Sequence, residues 1–194
     1  MKKIIGLVGT RAIVLMLFLI SGCAYHVAFK SPDPYQYGTT IPLKAAFHMD
    51  KTLKTKMYSS RAFGSGVANR WDVPVGEVVH QYAISYLKNG FENFQEIDKL
   101  AERPNYNILV KITDINYYMA AQAAHCDLTF VLENSLGKQV FNKKYHADGP
   151  SGMGRVFVGG VFAQKSAIRQ STHVVMETIF KSLVADISTN YKNW

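Results

Sequence analysis

The chain is short of cysteine, of proline and of long apolar runs, and each shortage excludes something. Cys23 and Cys126 are the two cysteines in 194 residues, so a disulfide framework is excluded. Six prolines and 14 glycines are too few for a collagen-like or low-complexity chain. The most apolar stretch, Ala12 to Ile20, is roughly half the length of a bilayer-crossing helix. The histidines at 26, 48, 80, 125, 146 and 173 form no His-x₃-His pair and no Cys/His cluster at metal-ligand spacing, so no metal site is expected.

Signatures of catalysis are missing too. The glycine-rich stretch "GPSGMGRVFVGGVFAQKS", 149–166, has Gln164 rather than glycine before Lys165-Ser166, and so fails the phosphate-loop pattern. It fails the dinucleotide fingerprint as well, because Gly152-Met153-Gly154 is followed by Arg155-Val156-Phe157. Gly64-Ser65-Gly66 lacks the spacing of a nucleophile elbow. Asp148 and Asp186 have no neighbouring acid in sequence for paired carboxylate chemistry. No catalytic residue and no cofactor are assigned, and the expectation is a protein that is not an enzyme.

What is present begins at the N-terminus. Lys2 and Lys3 precede the short apolar stretch, which ends in Ser21 and Gly22 before Cys23, the layout of a secretory signal. Leu19-Ile20-Ser21-Gly22-Cys23 resembles the lipobox of bacterial lipoproteins. That resemblance implies cleavage before Cys23, with a diacylglycerol on its sulfur and an acyl chain on its new amino group. Several acyl chains hold a protein to a membrane far more firmly than one. Ala24 follows the cysteine, where an aspartate would imply retention at the inner membrane, so outer-membrane delivery facing the periplasm is expected. The reading is a signal peptide over 1–22, a lipidated tether over 23–40 and one domain over 41–194.

The whole chain carries +8. Three of its positive residues, Lys2, Lys3 and Arg11, fall in the signal, leaving about +5 on the remainder. No dense Lys/Arg stripe with interleaved aromatics occurs, which argues against nucleic acid as a partner. Basic residues instead concentrate in 51–71, "KTLKTKMYSSRAFGSGVANRW", which holds no acid. This reads as a solvated loop or as a contact surface for anionic lipid, glycan or an acidic partner.

Periodicity supplies the elements. "AYHVAFKSPDPYQYGTT", 24–40, has none and carries Pro32, Pro34 and Gly38, hence the tether. "IPLKAAFHM" alternates as a strand. Val75, Val78, Val79, Tyr82, Ala83, Tyr86 and Leu87 form one helical stripe. Asp72 and Pro74 are expected to favour its start, and Gly90 to stop it in a left-handed cap. "FENFQEI" is a short strand, and Ile108, Val110 and Ile112 share a face of the next. In "AHCDLTFVLE" the apolar set Ala124, Cys126, Leu128, Phe130 and Leu132 alternates with His125, Asp127, Thr129 and Glu133, a half-buried antiparallel strand. It pairs with "QVFNKKYHA" around Gly137 as a hairpin. Cys126 therefore faces the core as a small apolar residue. A final helix over about 162–191 carries Ile168, Val175, Ile179, Leu183 and Ile187. The predicted fold is α+β, a two-layer sandwich of a mainly antiparallel sheet with two helices packed on one face.

At that level the chain resembles the small α/β lipoproteins accessory to envelope machines, of the YajG type and the export-accessory type. The resemblance rests on Cys23, the strand at "IPLKAAF", the helix at "VPVGEVVHQYAISYLKNGF", the strand at "NILVKITDI" and the closing helix. It implies a lipid-anchored accessory of an assembly or export complex, with an envelope protein or a second copy as partner. The alternative is a module binding anionic glycan or lipid. Candidate contact residues are Lys51, Lys54, Lys56, Arg61 and Arg70, with Arg155 and Phe157 on the glycine-rich stretch, read as a loop over 149–162.

Overall fold

The computed structural model describes residues 24–61, 70–100 and 105–194, the side chains of 153–162 excepted. The expected signal over 1–22, Cys23 and Gly64-Ser65-Gly66 lie outside the described residues. In chain order the elements are β1 (Ala24–His26), β2 (Ile41–Met49), α1 (Lys51–Lys54), β3 (Tyr58–Arg61) and β4 (Arg70–Val73). Then follow α2 (Val75–Gly90), β5 (Phe91–Glu96), β6 (Ile108–Ala120), β7 (Ala123–Asn134), β8 (Gln139–Asp148) and α3 (Met153–Asn190), closed by a 3₁₀ turn at Tyr191–Asn193.

A five-stranded sheet in the order β5-β2-β6-β7-β8 forms one layer and α2 and α3 the other. The two-layer α+β sandwich thus stands as the sequence predicts. Antiparallel pairing dominates by length through β6, β7 and β8, while β2 runs parallel to both β5 and β6. The parallel β2–β5 pair is closed by α2 as a crossover helix, which such a connection requires.

Alternation on β7 decides the core. Ala124, Cys126, Leu128, Phe130 and Leu132 are all buried, and they meet the stripe of α3 from Ile168 through Val175, Ile179 and Leu183 to Ile187. Phe180 sits at the centre with ring centroids 5.6 Å from Phe130, 6.0 Å from Tyr86 and 6.4 Å from Tyr82. Two polar ties fix α3 over the sheet: Ser171 Oγ accepts from the Ala124 amide at 2.7 Å, and Thr172 Oγ1 lies 2.7 Å from the Tyr117 hydroxyl. Trp194 packs on Phe141 at 5.8 Å between centroids.

Several local expectations are corrected. The aperiodic stretch after Cys23 is docked rather than a free tether. Residues 24–26 pair with β4, Val27 is buried and its amide donates to the Asp72 carbonyl at 2.9 Å. Tyr35 stacks on Tyr86 at 5.5 Å under the Lys181 ammonium. Aromatic area, not periodicity, holds this segment down. Residues 51–61 and 70–73 are likewise not loop. Asp50 caps α1 by accepting from the Thr52 amide at 2.8 Å, and β3 and β4 form a second, three-stranded sheet in the order β1-β4-β3.

Asp72 does not serve the start of α2, which Pro74 caps without a side-chain bond. It is buried, accepts from Ser59 Oγ at 2.5 Å and meets Arg70 Nε at 3.4 Å. Gly90 is helical rather than left-handed, Phe91 being the cap. A Cβ at 90 would lie 3.1 Å from Val184 Cγ1, so glycine serves helix–helix approach there. Finally, α3 begins at Met153, so 153–162 is helix where a loop was expected. The helix runs through the glycines at 154, 159 and 160, each at a cost of about 1 kcal/mol relative to alanine.

Candidate functional site

The basic residues picked out by sequence do not form one surface. Lys51 is exposed. Lys54 Nζ lies 2.6 Å from Glu96 and 3.5 Å from Asp98. Burial alone would raise the Glu96 carboxyl; hydrogen bonds from Lys54 and His80 overcome it and hold the group below its usual range. Lys56 donates to the Ile115 carbonyl. Lys54 and Lys56 therefore brace α1 against the large sheet. Arg155 and Phe157 fall in the first turns of α3, and their side chains lie outside the described residues.

Arg61 and Arg70 remain, and the small sheet brings them together. Ala24 registers with Arg70 on β4, and Arg70 with Arg61 on β3. Both arginines are exposed. Like charges directly opposite on antiparallel strands repel, and Asp72 neutralises only the Arg70 side. At a strand spacing of about 4.8 Å, both lie within about 10 Å of the backbone that leaves Cys23.

Beside them is a cavity of about 340 Å³ walled by Ser60, Arg61, Trp71, Met119, Ala121, Gln122, Gln164 and Ile168. Four elements converge on it: β3, β4, the β6–β7 turn and α3. Trp71 is held by Tyr25 at 5.1 Å between centroids. The turn residues Ala121 and Gln122 have φ of 47° and 61°, the left-handed pair of a two-residue hairpin, where Asn-Gly is favoured. The turn is pinned by Ser151 Oγ, which donates to the Ala121 carbonyl at 2.7 Å. Trp71 Nε1 and Gln122 Oε1 are buried polar atoms with no hydrogen-bond partner among the described residues. None of this was legible from sequence, because the wall comes from four separate stretches of chain.

A second cluster lies on the sheet face away from the helices. Register pairs His125 with Asp148 and Asp127 with His146. His125 Nδ1 is 2.5 Å from Asp148, His146 Nδ1 2.7 Å from Asp127, and Lys144 Nζ 2.9 Å from Asp127. Tyr118 stacks on His125 at 4.7 Å. The sequence places His125 and Asp127 on one face; adding the hairpin register would have found their partners. The hydrogen bond from Lys144, joined by His146 and Asn116 against slight desolvation, pulls the Asp127 carboxyl down to about 2. The bond to Asp127 and then that to Asp148 hold His146 above its ordinary value. Among the described residues no group of three or more His, Cys, Asp or Glu is arranged to hold a metal ion.

The ladder makes stability depend on pH with a definite sign. His146 contributes fully below its unfolded value near 6.5 and loses that contribution as pH rises through its raised folded value. Asp127 contributes above about 3.9 and loses it as pH falls toward its folded value. The cluster is thus most stabilising between those limits. Asp127→Asn is expected to lower the His146 midpoint in a ring-proton NMR titration. An unmoved midpoint would show that the ladder does not form in solution.

Cys126 is buried, and burial first, then the Asp127 charge, pushes its thiol up to about 12. A thiol so far from ionising is a packing residue rather than a nucleophile.

The described part of the molecule is thus a two-layer α+β sandwich with a small sheet clasping its N-terminal stretch and a cavity beneath that clasp. No protein-family model matches the chain, and no curated protein matches it. Among solved structures the chain is similar to an uncharacterized protein at a TM-score of 0.46 and 9% identity, over 84% of this chain and 99% of that one. It is similar to a hypothetical protein from Chlamydia trachomatis at 0.41 and 9%, over 75% and 96%. A PelC dodecamer from Paraburkholderia phytofirmans matches at 0.37 and 14%, over 71% and 94%.

Proposed function

We propose that the chain is a non-enzymatic accessory protein of a cell-envelope assembly or export complex, anchored to the outer membrane through acylated Cys23 and acting by protein contacts. The observation that carries this reading is the position of β1. The residue after Cys23 is already paired within a sheet, so an anchor at Cys23 holds the domain flush against the bilayer with a fixed face outward. The outer face of the large sheet, with its ladder of His125, Asp127, His146 and Asp148, is then a rigid, charged surface offered to a neighbour.

Two measurements test it. Cys23→Ser should abolish acyl labelling and leave uncleaved precursor; a variant still processed and membrane-bound overturns the anchor. Purification of the intact protein from its own envelope should bring down a recurrent protein partner, and reproducible recovery as a lone monomer overturns the accessory role. A second reading, binding of anionic lipid or glycan, is favoured by the Arg61–Arg70 pairing next to the anchor, because Asp72 offsets only Arg70 and the guanidinium of Arg61 suits a phosphate or carboxylate group.

A further inference from the structure

We infer that the cavity under the small sheet is a binding site for an anionic phospholipid, taking part of one acyl chain into its interior while Arg61 and Arg70 hold the phosphate at its mouth. This deepens the second reading above and commits it to lipid rather than glycan.

Three features meet at this one place. The first is the cross-strand pair Arg61 and Arg70, two exposed like charges in direct register. Asp72 offsets the Arg70 side at 3.4 Å and leaves Arg61 without a counter-ion among the described residues, and guanidiniums present the planar donor forks that bind phosphate bidentately. The second is the pair of orphaned polar atoms. Trp71 Nε1 and Gln122 Oε1, on residues that wall the cavity, are buried without partners among the described residues. Both atoms are closed off from solvent, so a lipid's ester and hydroxyl groups pair with them when the two side chains turn toward the cavity. The third is the turn. Ala121 and Gln122 occupy left-handed backbone where glycine would be easier, and their side chains help form the wall. Backbone held in such conformations clusters at ligand sites.

The chemistry of the wall selects the rest of the ligand. Met119, Ile168, Ala121 and the Trp71 ring are apolar, and Arg61 belongs both to the wall and to the charged pair. The wall therefore joins apolar side chains to one cation, Arg61. Its 340 Å³ is near the lower end of the roughly 300–1,000 Å³ of small-ligand pockets, which suits part of one acyl chain rather than a whole two-chain lipid. Position supplies the source: Ala24 lies one strand from Arg70, so a domain anchored at Cys23 carries this mouth at the level of the head groups.

The test uses Trp71 as its own reporter. The chain has two tryptophans, and Trp194→Phe leaves Trp71 alone. The full protein, purified from membranes, is reconstituted into vesicles in which either phosphatidylglycerol or phosphatidylcholine carries bromine along its acyl chains. Brominated phosphatidylglycerol should quench Trp71, and brominated phosphatidylcholine at the same fraction should quench it much less. Arg61→Gln with Arg70→Gln should reduce quenching by phosphatidylglycerol to the phosphatidylcholine level. Ser60→Phe, which fills the mouth and leaves both arginines, should also reduce it. Equal quenching by the two lipids, or none, overturns the site. Loss of the quenching on adding millimolar inorganic phosphate overturns it in favour of a plain anion site. Acyl labelling of the same preparation separates the two readings. Labelled protein without selective quenching overturns the pocket alone, and unlabelled protein that still shows it supports the pocket while the anchor fails.

Discussion

Phe180→Ala is expected to destabilise the domain by about 3–5 kcal/mol, the range for emptying an aromatic from a close-packed core. The side chain is fully buried and touches both layers, meeting Phe130 from the sheet and Tyr82 and Tyr86 from α2. Neither layer relaxes into the gap without separating the other two contacts, so the upper half of the range applies. Thermal unfolding should show a midpoint lower by about 10 °C or more for a domain of this size. Leu136→Ala, at a residue 86% exposed, should leave the midpoint within error. A small shift for Phe180→Ala would mean that α2 and α3 do not share one core.

Gly76→Ala is expected to be nearly as damaging, although it adds a single methyl. A Cβ there would come 2.6 Å from the Lys54 carbonyl oxygen and closer still to that of Leu53. Both obstacles are backbone, so no side-chain rotation relieves them. The start of α2 and the turn of α1 are held together by the Gly76 amide, which donates to the Lys56 carbonyl at 2.9 Å. Pushing α1 away also strains the ties from Lys54 to Glu96 and from Lys56 to Ile115. A loss near the top of the roughly 1–3 kcal/mol of overpacking is expected, read as a lower denaturant midpoint. Gly38→Ala is the control, because nothing lies within 4 Å of a Cβ at that position.

These two residues mark the divide between what sequence shows and what it hides. Phe180 belongs to a stripe repeating at helical spacing, and the α2 and α3 stripes and the β7 alternation are visible because each is a local period facing one core. Gly76 answers to a contact with another element, and no local pattern announces that. The same holds for Gly90, for the parallel pairing of β2 with β5 and β6, and for the docking of 24–40 by scattered aromatics. The candidate site follows suit. Arg61 and Arg70 stand out as basic residues, but their pairing needs the β3–β4 register, and Trp71 and Gln122 carry no signal until the turn and the small sheet are in place.

The placement of β1 has a consequence for the order in which the molecule is built. Residues 24–26 are made early, yet their partner strand is Arg70–Val73, made only after two further strands. Tyr35 waits longer still, since the Lys181 ammonium over its ring belongs to the last helix. Such distant closures form late, after local hairpins and helices have reduced the chain's freedom. The segment that follows Cys23 is therefore the last to be seated. Folding ends where the chain began, with its early strand closing onto a sheet already built.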